Sequence, residues 1–237
     1  NTAVQPFKTE AFHNGKFIEV IGLYDPLTDP ATVRLNEERA KHWISVGAKP
    51  TETVRDILRK AGLVVAEALR RTAEAARPGV TTARLDAIAA EVIADAGATS
   101  SFLGYHGYPS TICVSVNEEV VHGIPGPREL REGDLVSIDC GAIVDGWHGD
   151  AAVTVPVGDV APELLALSQV TRDSLVAGIA AAQPGARVGD VGRAVSGVVE
   201  AAAADHRADY GVVIGYTGHG IGTAMHMYAD AHKGVLP

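Results

Sequence analysis

The stretch SIDCGAIVDGWHGDAAV, residues 137–153, carries a strong two-residue turn signal, Asp145-Gly146, between two apolar, β-branched runs. With those two residues as the loop, Val144 faces Trp147, and counting back pairs Gly141 with Asp150. Asp139 then lies two residues further along the face that bears Asp150. The carboxylates become diagonal cross-strand neighbours, roughly 7–8 Å apart at most between backbones. Like charges that close on a half-buried sheet are unfavourable unless a cation or a shared proton compensates. A single Asp in a strand commonly faces water, but Val136, Ile138, Ile143 and Val144 argue for a buried sheet and thus for a metal site.

The 237 residues suffice for one large domain, or for a small one and a medium one. A hydrophobic share of 46% and a charged share of 21% describe an ordinary globular chain with enough apolar mass for a sizeable core. No run of about 18 apolar residues occurs, so no transmembrane helix and no membrane partner are expected. The opening NTAVQPFKTEAFHNGK has no charged start followed by an apolar stretch, which predicts no secretory signal. Two cysteines, Cys113 and Cys140, make no disulfide framework, and a cytoplasmic location is the expectation. Charge is uneven. Residues 1–62 carry 9 Lys and Arg against 8 Asp and Glu, and residues 63–237 carry 11 against 21. The acidic second part argues against a nucleic-acid groove there.

Along the chain, residues 1–13 show no pattern and read as an unstructured lead-in. KFIEVIGLYDP (16–26) alternates and reads as a strand. LNEERAKHWISVG (35–47) has helical spacing behind an Asn36 cap and closes at Gly47. A long helix is expected over 51–76, stopped by Arg77-Pro78-Gly79. RPGVTTARLDAIAAEVI (77–93) is echoed by QPGARVGDVGRAVSGVV (183–199), with Leu85, Ile88, Ala89, Val92 and Ile93 in register with Val191, Ala194, Val195, Val198 and Val199. Two copies at so long an offset predict a pseudo-twofold α+β domain, not a solenoid.

Further residues of chemical interest lie in glycine-rich turns. TGHGIG (217–222) sets His219 between glycines, where backbone can approach a ligand closely. His226 follows seven residues later, and His122 sits in VVHGIPG (120–126). Two Asp and a His together suit a borderline first-row divalent ion such as Mn, Fe, Co or Zn.

Five stretches carry a resemblance: AGLVVAEAL, RPGVTTARLDAIAAEVI, SFLGYHGYPSTICVSVNEEVVHGIPG, LREGDLVSIDCGAIVDGWHGDAAVTVPVG and GYTGHGIGTAMHMY. Over about residues 61–228 the chain resembles the bacterial type I methionine aminopeptidases. The resemblance implies the pita-bread fold (the creatinase/aminopeptidase architecture), two divalent metal ions, and hydrolytic removal of the N-terminal Met of nascent polypeptides. It makes Asp139, Asp150 and His219 metal ligands and gives His122 and His226 catalytic roles at the substrate. It assigns Phe102, Tyr105, Tyr108 and Met225 to the pocket for the methionine side chain. A related creatinase or Xaa-Pro peptidase would share the metal site, but GYHGYP and HGIPG favour the methionine enzyme. The family also takes two glutamate ligands from the segment after the Gly-His-Gly turn, and ADAHKGVLP (229–237) contains no Glu. The expectation is therefore a C-terminally truncated domain, incomplete in its second half, that binds metal weakly and is nearly inactive alone.

NGKFIEVIGLYDP (14–26) and LNEERAKHWISVGAKPTETVRDILRKAG (35–62) resemble the sixteenth protein of the bacterial small ribosomal subunit, without its opening strands. This implies a small α+β fragment over 14–60, with Lys16, Arg39 and Lys41 as candidate contacts to ribosomal RNA. The expected organisation is a lead-in (1–13), this fragment (14–60) and the aminopeptidase-like domain (61–237), joined through a shared helix near Lys60-Ala61-Gly62. The alternative to an enzyme is a non-catalytic ribosome-binding or structural fusion.

Overall fold

The computed structural model describes residues 5–8, 20–25, 32–35, 52–183, 186–206, 209–213, 216 and 218–227. The first part is a three-stranded antiparallel sheet of β1 (Gln5–Lys8), β2 (Val20–Asp25) and β3 (Thr32–Leu35), in that order. Strand β1 falls inside the stretch expected to be an unstructured lead-in. QPFK shows no alternation, and pairing with β2 (Gln5 opposite Tyr24) supplies the order that local pattern does not. Leu35 ends β3 and does not begin a helix, since its partner is Gly22. Lys16, Arg39, Lys41 and most of the expected 35–47 helix lie outside the described residues.

The second part is built on α1 (Glu52–Ala75), α2 (Thr82–Asp95), β4 (Thr99–Ser100), β5 (Ile112–Val116), β6 (Leu135–Val144), β7 (Trp147–Pro156), α3 (Pro162–Ala181) and α4 (Val188–His206). α1 runs unbroken through Lys60-Ala61-Gly62. Pro78-Gly79 separates it from α2, whose first turn is capped by the Thr81 side chain accepting from Arg84 N–H. β6 is the central strand. β7 pairs along its whole length, while β5 and β4 share the other edge.

Alternation along β6 separates two faces. Val136, Ile138, Cys140 and Ala142 are fully buried beneath the helices, with Leu85, Ala89 and Val92 of α2 and Val65, Ala68 and Leu69 of α1. The opposite face carries Asp139 and Gly141. α1 approaches the hairpin closely because position 149 has no side chain: a Cβ there would stand 2.9 Å from the Ala61 carbonyl carbon.

Shifted by 106 positions, the ends of α1 and α2 fall at Ala181 and Ala201; α3 ends at Ala181, and α4 runs through Ala201 to His206. The echo thus extends to a helix pair, α3 packing on α4 as α1 packs on α2. At the start of α4 the bond runs the other way: Arg187, the position equivalent to Thr81, donates its N–H to the Asp190 carboxylate. Among the described residues no helix is long and apolar enough to cross a membrane.

Candidate active site

The hairpin has the register that its turn demands. Val144 pairs with Trp147 and Gly141 with Asp150, and the turn residues Asp145 and Gly146 both have positive φ, at 50° and 80°. Asp139 pairs with Ala152 on one side and with Cys113 on the other. It therefore shares the face of Asp150, and the two carboxyls hydrogen-bond to each other. Asp139 is half-buried and Asp150 exposed. Burial and the neighbouring Asp150 push Asp139 up to about 7. Asp150 is also raised, chiefly because its carboxyl is partly desolvated among neighbouring groups. The pair titrates as a unit, with the proton shared between the two carboxyls.

Two imidazoles from the 218–227 segment reach the same side of the sheet, His219 and His226, both lowering Asp150 through their charge. Their ring centroids lie 4.3 Å apart. His226 Nδ1 stands 2.9 Å from the Tyr105 hydroxyl, and His219 Nδ1 stands 3.0 Å from the Gly220 carbonyl. The segment is fastened to the hairpin by His148 N–H donating to Gly222 C=O at 2.8 Å. His148 itself lies on the Asp150 face, two residues away, and burial lowers its pKa against the pull of Asp150. It belongs to no motif; only the register set by the Asp-Gly turn marks it.

Beside the carboxyls, Phe102, Cys113 and Met225 form a separate buried apolar cluster, with Tyr108 packed against it. Burial raises the Tyr108 phenol and pushes the Cys113 thiol up to about 11. Tyr108 donates toward the carbonyls of Ile112 and Gly123. That second bond ties the pocket to the turn at His122, where φ is +59°. Gly123 is required there, since a Cβ would stand 2.2 Å from the Val114 carbonyl oxygen. The His122 side chain is exposed.

Of the sequence-derived residues, Asp139 and Asp150 are in contact, His219 and His226 lie near Asp150, and Tyr105 is bonded to His226. Phe102, Tyr108 and Met225 cluster beside them, with Cys113 in addition. His122 is linked to the pocket through backbone alone. Among the described residues no three His, Cys, Asp or Glu are disposed to hold a metal ion. His219 is turned to its neighbour's carbonyl and to His226, and the two acids bond to each other. The donors still fit a divalent ion in kind: two acids that share a hydrogen bond on one sheet face are the pairing that a cation replaces.

Over residues 56–236 the sequence matches the metallopeptidase family M24. The chain belongs to that family. Residues 7–51 match ribosomal protein S16. Against methionine aminopeptidase 1 of Mycobacterium tuberculosis, this M24 chain is 55% identical over 173 residues, covering 73% of its own length and 65% of that protein. It thus spans about two thirds of the curated relatives that it matches. A solved methionine aminopeptidase from Thermotoga maritima superposes with a TM-score of 0.72 at 36% identity, over 79% of this chain and 76% of that one. A prolidase from Pyrococcus furiosus has a TM-score of 0.63 at 19% identity, over 76% of this chain and 50% of that one, which shows the shared pita-bread fold.

Proposed function

We propose that this M24 chain removes the N-terminal methionine from peptides in a reaction that depends on divalent metal. Asp139, Asp150 and His219 would hold the metal, two ions drawn from Mn, Co, Fe or Zn. The observation that carries the reading is the acidic pair of one sheet face lying next to an apolar pocket. A bound ion supplies Lewis acidity and lowers the pKa of water at that point.

The chain's own residues supply the rest. Phe102, Tyr108 and Met225, with Cys113, form a site for an unbranched thioether, where sulfur packs well against ring edges. Tyr105 engages His226 Nδ1 and so directs Nε2, the other ring nitrogen, to the reacting carbonyl. His122 serves the same carbonyl from the turn at 120–126. A cytoplasmic location belongs to the same reading.

The test uses stoichiometric protein, Mn2+ and the peptides Met-Ala-Ser, Leu-Ala-Ser and Ala-Pro-Ser, with free amino acid measured by chromatography. Metal-dependent release of Met alone, lost in Asp139→Ala, supports the proposal. Release that survives Asp139→Ala, or no release with any metal, refutes it. The S16 match favours a second reading for residues 7–51, contact with ribosomal RNA through Lys16, Arg39 and Lys41. RNA binding whose affinity falls steeply with salt would support it, and salt-independent binding would not.

A further inference from the structure

Gly141 sits between Asp139 and Ile143 on the sheet face that bears the acidic pair, and Asp150 is its cross-strand partner. The bare strand at Gly141 is covered by a neighbouring segment. A Cβ at position 141 would stand 2.7 Å from Cε1 of Phe102 and 2.8 Å from Cβ of Ser101. Ser101 and Phe102 are 5% and 7% exposed, so both are fixed against the strand. Ser101 N–H donates to Gly141 C=O at 3.0 Å. Its hydroxyl is bonded to Nδ1 of His148 at 2.9 Å. His148 is on the returning strand, opposite Ile143, and its backbone N–H is the one that holds Gly222.

We propose that His148 is a positioning residue: through Ser101 it latches Phe102 over Gly141, as the wall of the methionine pocket beside Asp139 and Asp150. Position matters because Phe102 is the one large rigid side chain of the buried cluster, and Cys113 and Met225 pack on it. Its backbone N–H takes no part in a strand ladder. It donates to the Ser100 hydroxyl at 3.0 Å, in a turn that the ring latch keeps on the sheet. With the His148 ring removed, Ser101 keeps its backbone bond and loses its side-chain anchor. The Phe102 ring is then held over Gly141 by its packing on Cys113 and Met225 alone, and it shifts off the strand. The consequence for selectivity rests on the methionine reading; the latch itself does not.

The chain has four phenylalanines, and Phe102 is the only one beyond residue 17, so ring-13C-labelled phenylalanine reports it directly by NMR, with Phe102→Leu identifying its signal. The variants are His148→Ala, His148→Asn, Ser101→Ala and the double Ala variant. Asn keeps a polar atom at the place of Nδ1. A dispersed Phe102 signal is expected in the parent and in His148→Asn. It collapses toward the random-coil position in both Ala variants, and no further in the double. The dissociation constant for L-methionine rises about tenfold in the Ala variants and within about twofold in His148→Asn, while Mn2+ affinity holds. An unchanged Phe102 signal in His148→Ala overturns the latch, as does a failure of Asn to restore it. If L-methionine does not bind the parent while the Phe102 signals behave as stated, the latch stands and the methionine reading falls.

Discussion

Replacing Asp139 by Asn tests whether two acids share a proton on this sheet. In the metal-free fold Asp139 stands near 7, against 3.8 in the unfolded chain. The fold therefore binds this proton more tightly than the unfolded chain does. The contribution of this proton to stability is fully present below about pH 4, falls as pH rises to about 7, and then levels off. A shift of this size is worth about 4 kcal/mol in full, of which about 2–3 kcal/mol falls between pH 5 and pH 8. His148 works in the opposite sense: held neutral by burial, it costs stability as pH falls below its ordinary 6.5. It is present in parent and variant alike, so the difference between them isolates the acidic pair. Asn keeps the hydrogen bond to Asp150 and loses the titration. Urea unfolding followed by circular dichroism, in EDTA at pH 5, 6, 7 and 8, should show Asp139→Asn gaining on the parent by about 2–3 kcal/mol across that range. Parallel profiles for the two proteins would refute the shared proton.

Other perturbations have equally definite outcomes. Gly149→Ala puts a Cβ 2.9 Å from α1 backbone, which cannot rotate aside as a side chain can; urea unfolding should register a loss of about 1–3 kcal/mol. Leu85 is fully buried in the core between helix and sheet, and Leu85→Ala should cost about 2–5 kcal/mol by the same measurement. Met225→Ala opens the buried cluster and should weaken L-methionine binding in calorimetry while Mn2+ binding stays within about twofold.

The hairpin was legible because a two-residue turn leaves no freedom of register: once Asp145-Gly146 is the loop, the partner of Asp150 follows by counting. The helix starting after Pro78-Gly79 was legible for a similar reason, since punctuation and apolar spacing agree there. β1 was not, because its order comes from pairing with β2 and leaves no trace in QPFK. α3 was hidden too. Its buried positions, Val170, Ser174 and Gly178, are small or polar, so no apolar stripe announces it, and in the sequence the echo at 106 positions covers only 77–93 and 183–199. The site residues divide in the same way. Asp139 and Asp150 follow from register, while His148, Ser101 and Cys113 enter through contacts between segments distant in sequence, where local pattern carries no information.

Titrating metal against the acidic pair probes the account most directly. Mn2+ added in a calorimeter at pH 7.5 to the parent, Asp139→Ala and Asp150→Ala should give heat and proton release in the parent alone. Equal binding in all three would mean that cations are held elsewhere, and that the hairpin's two acids are bystanders.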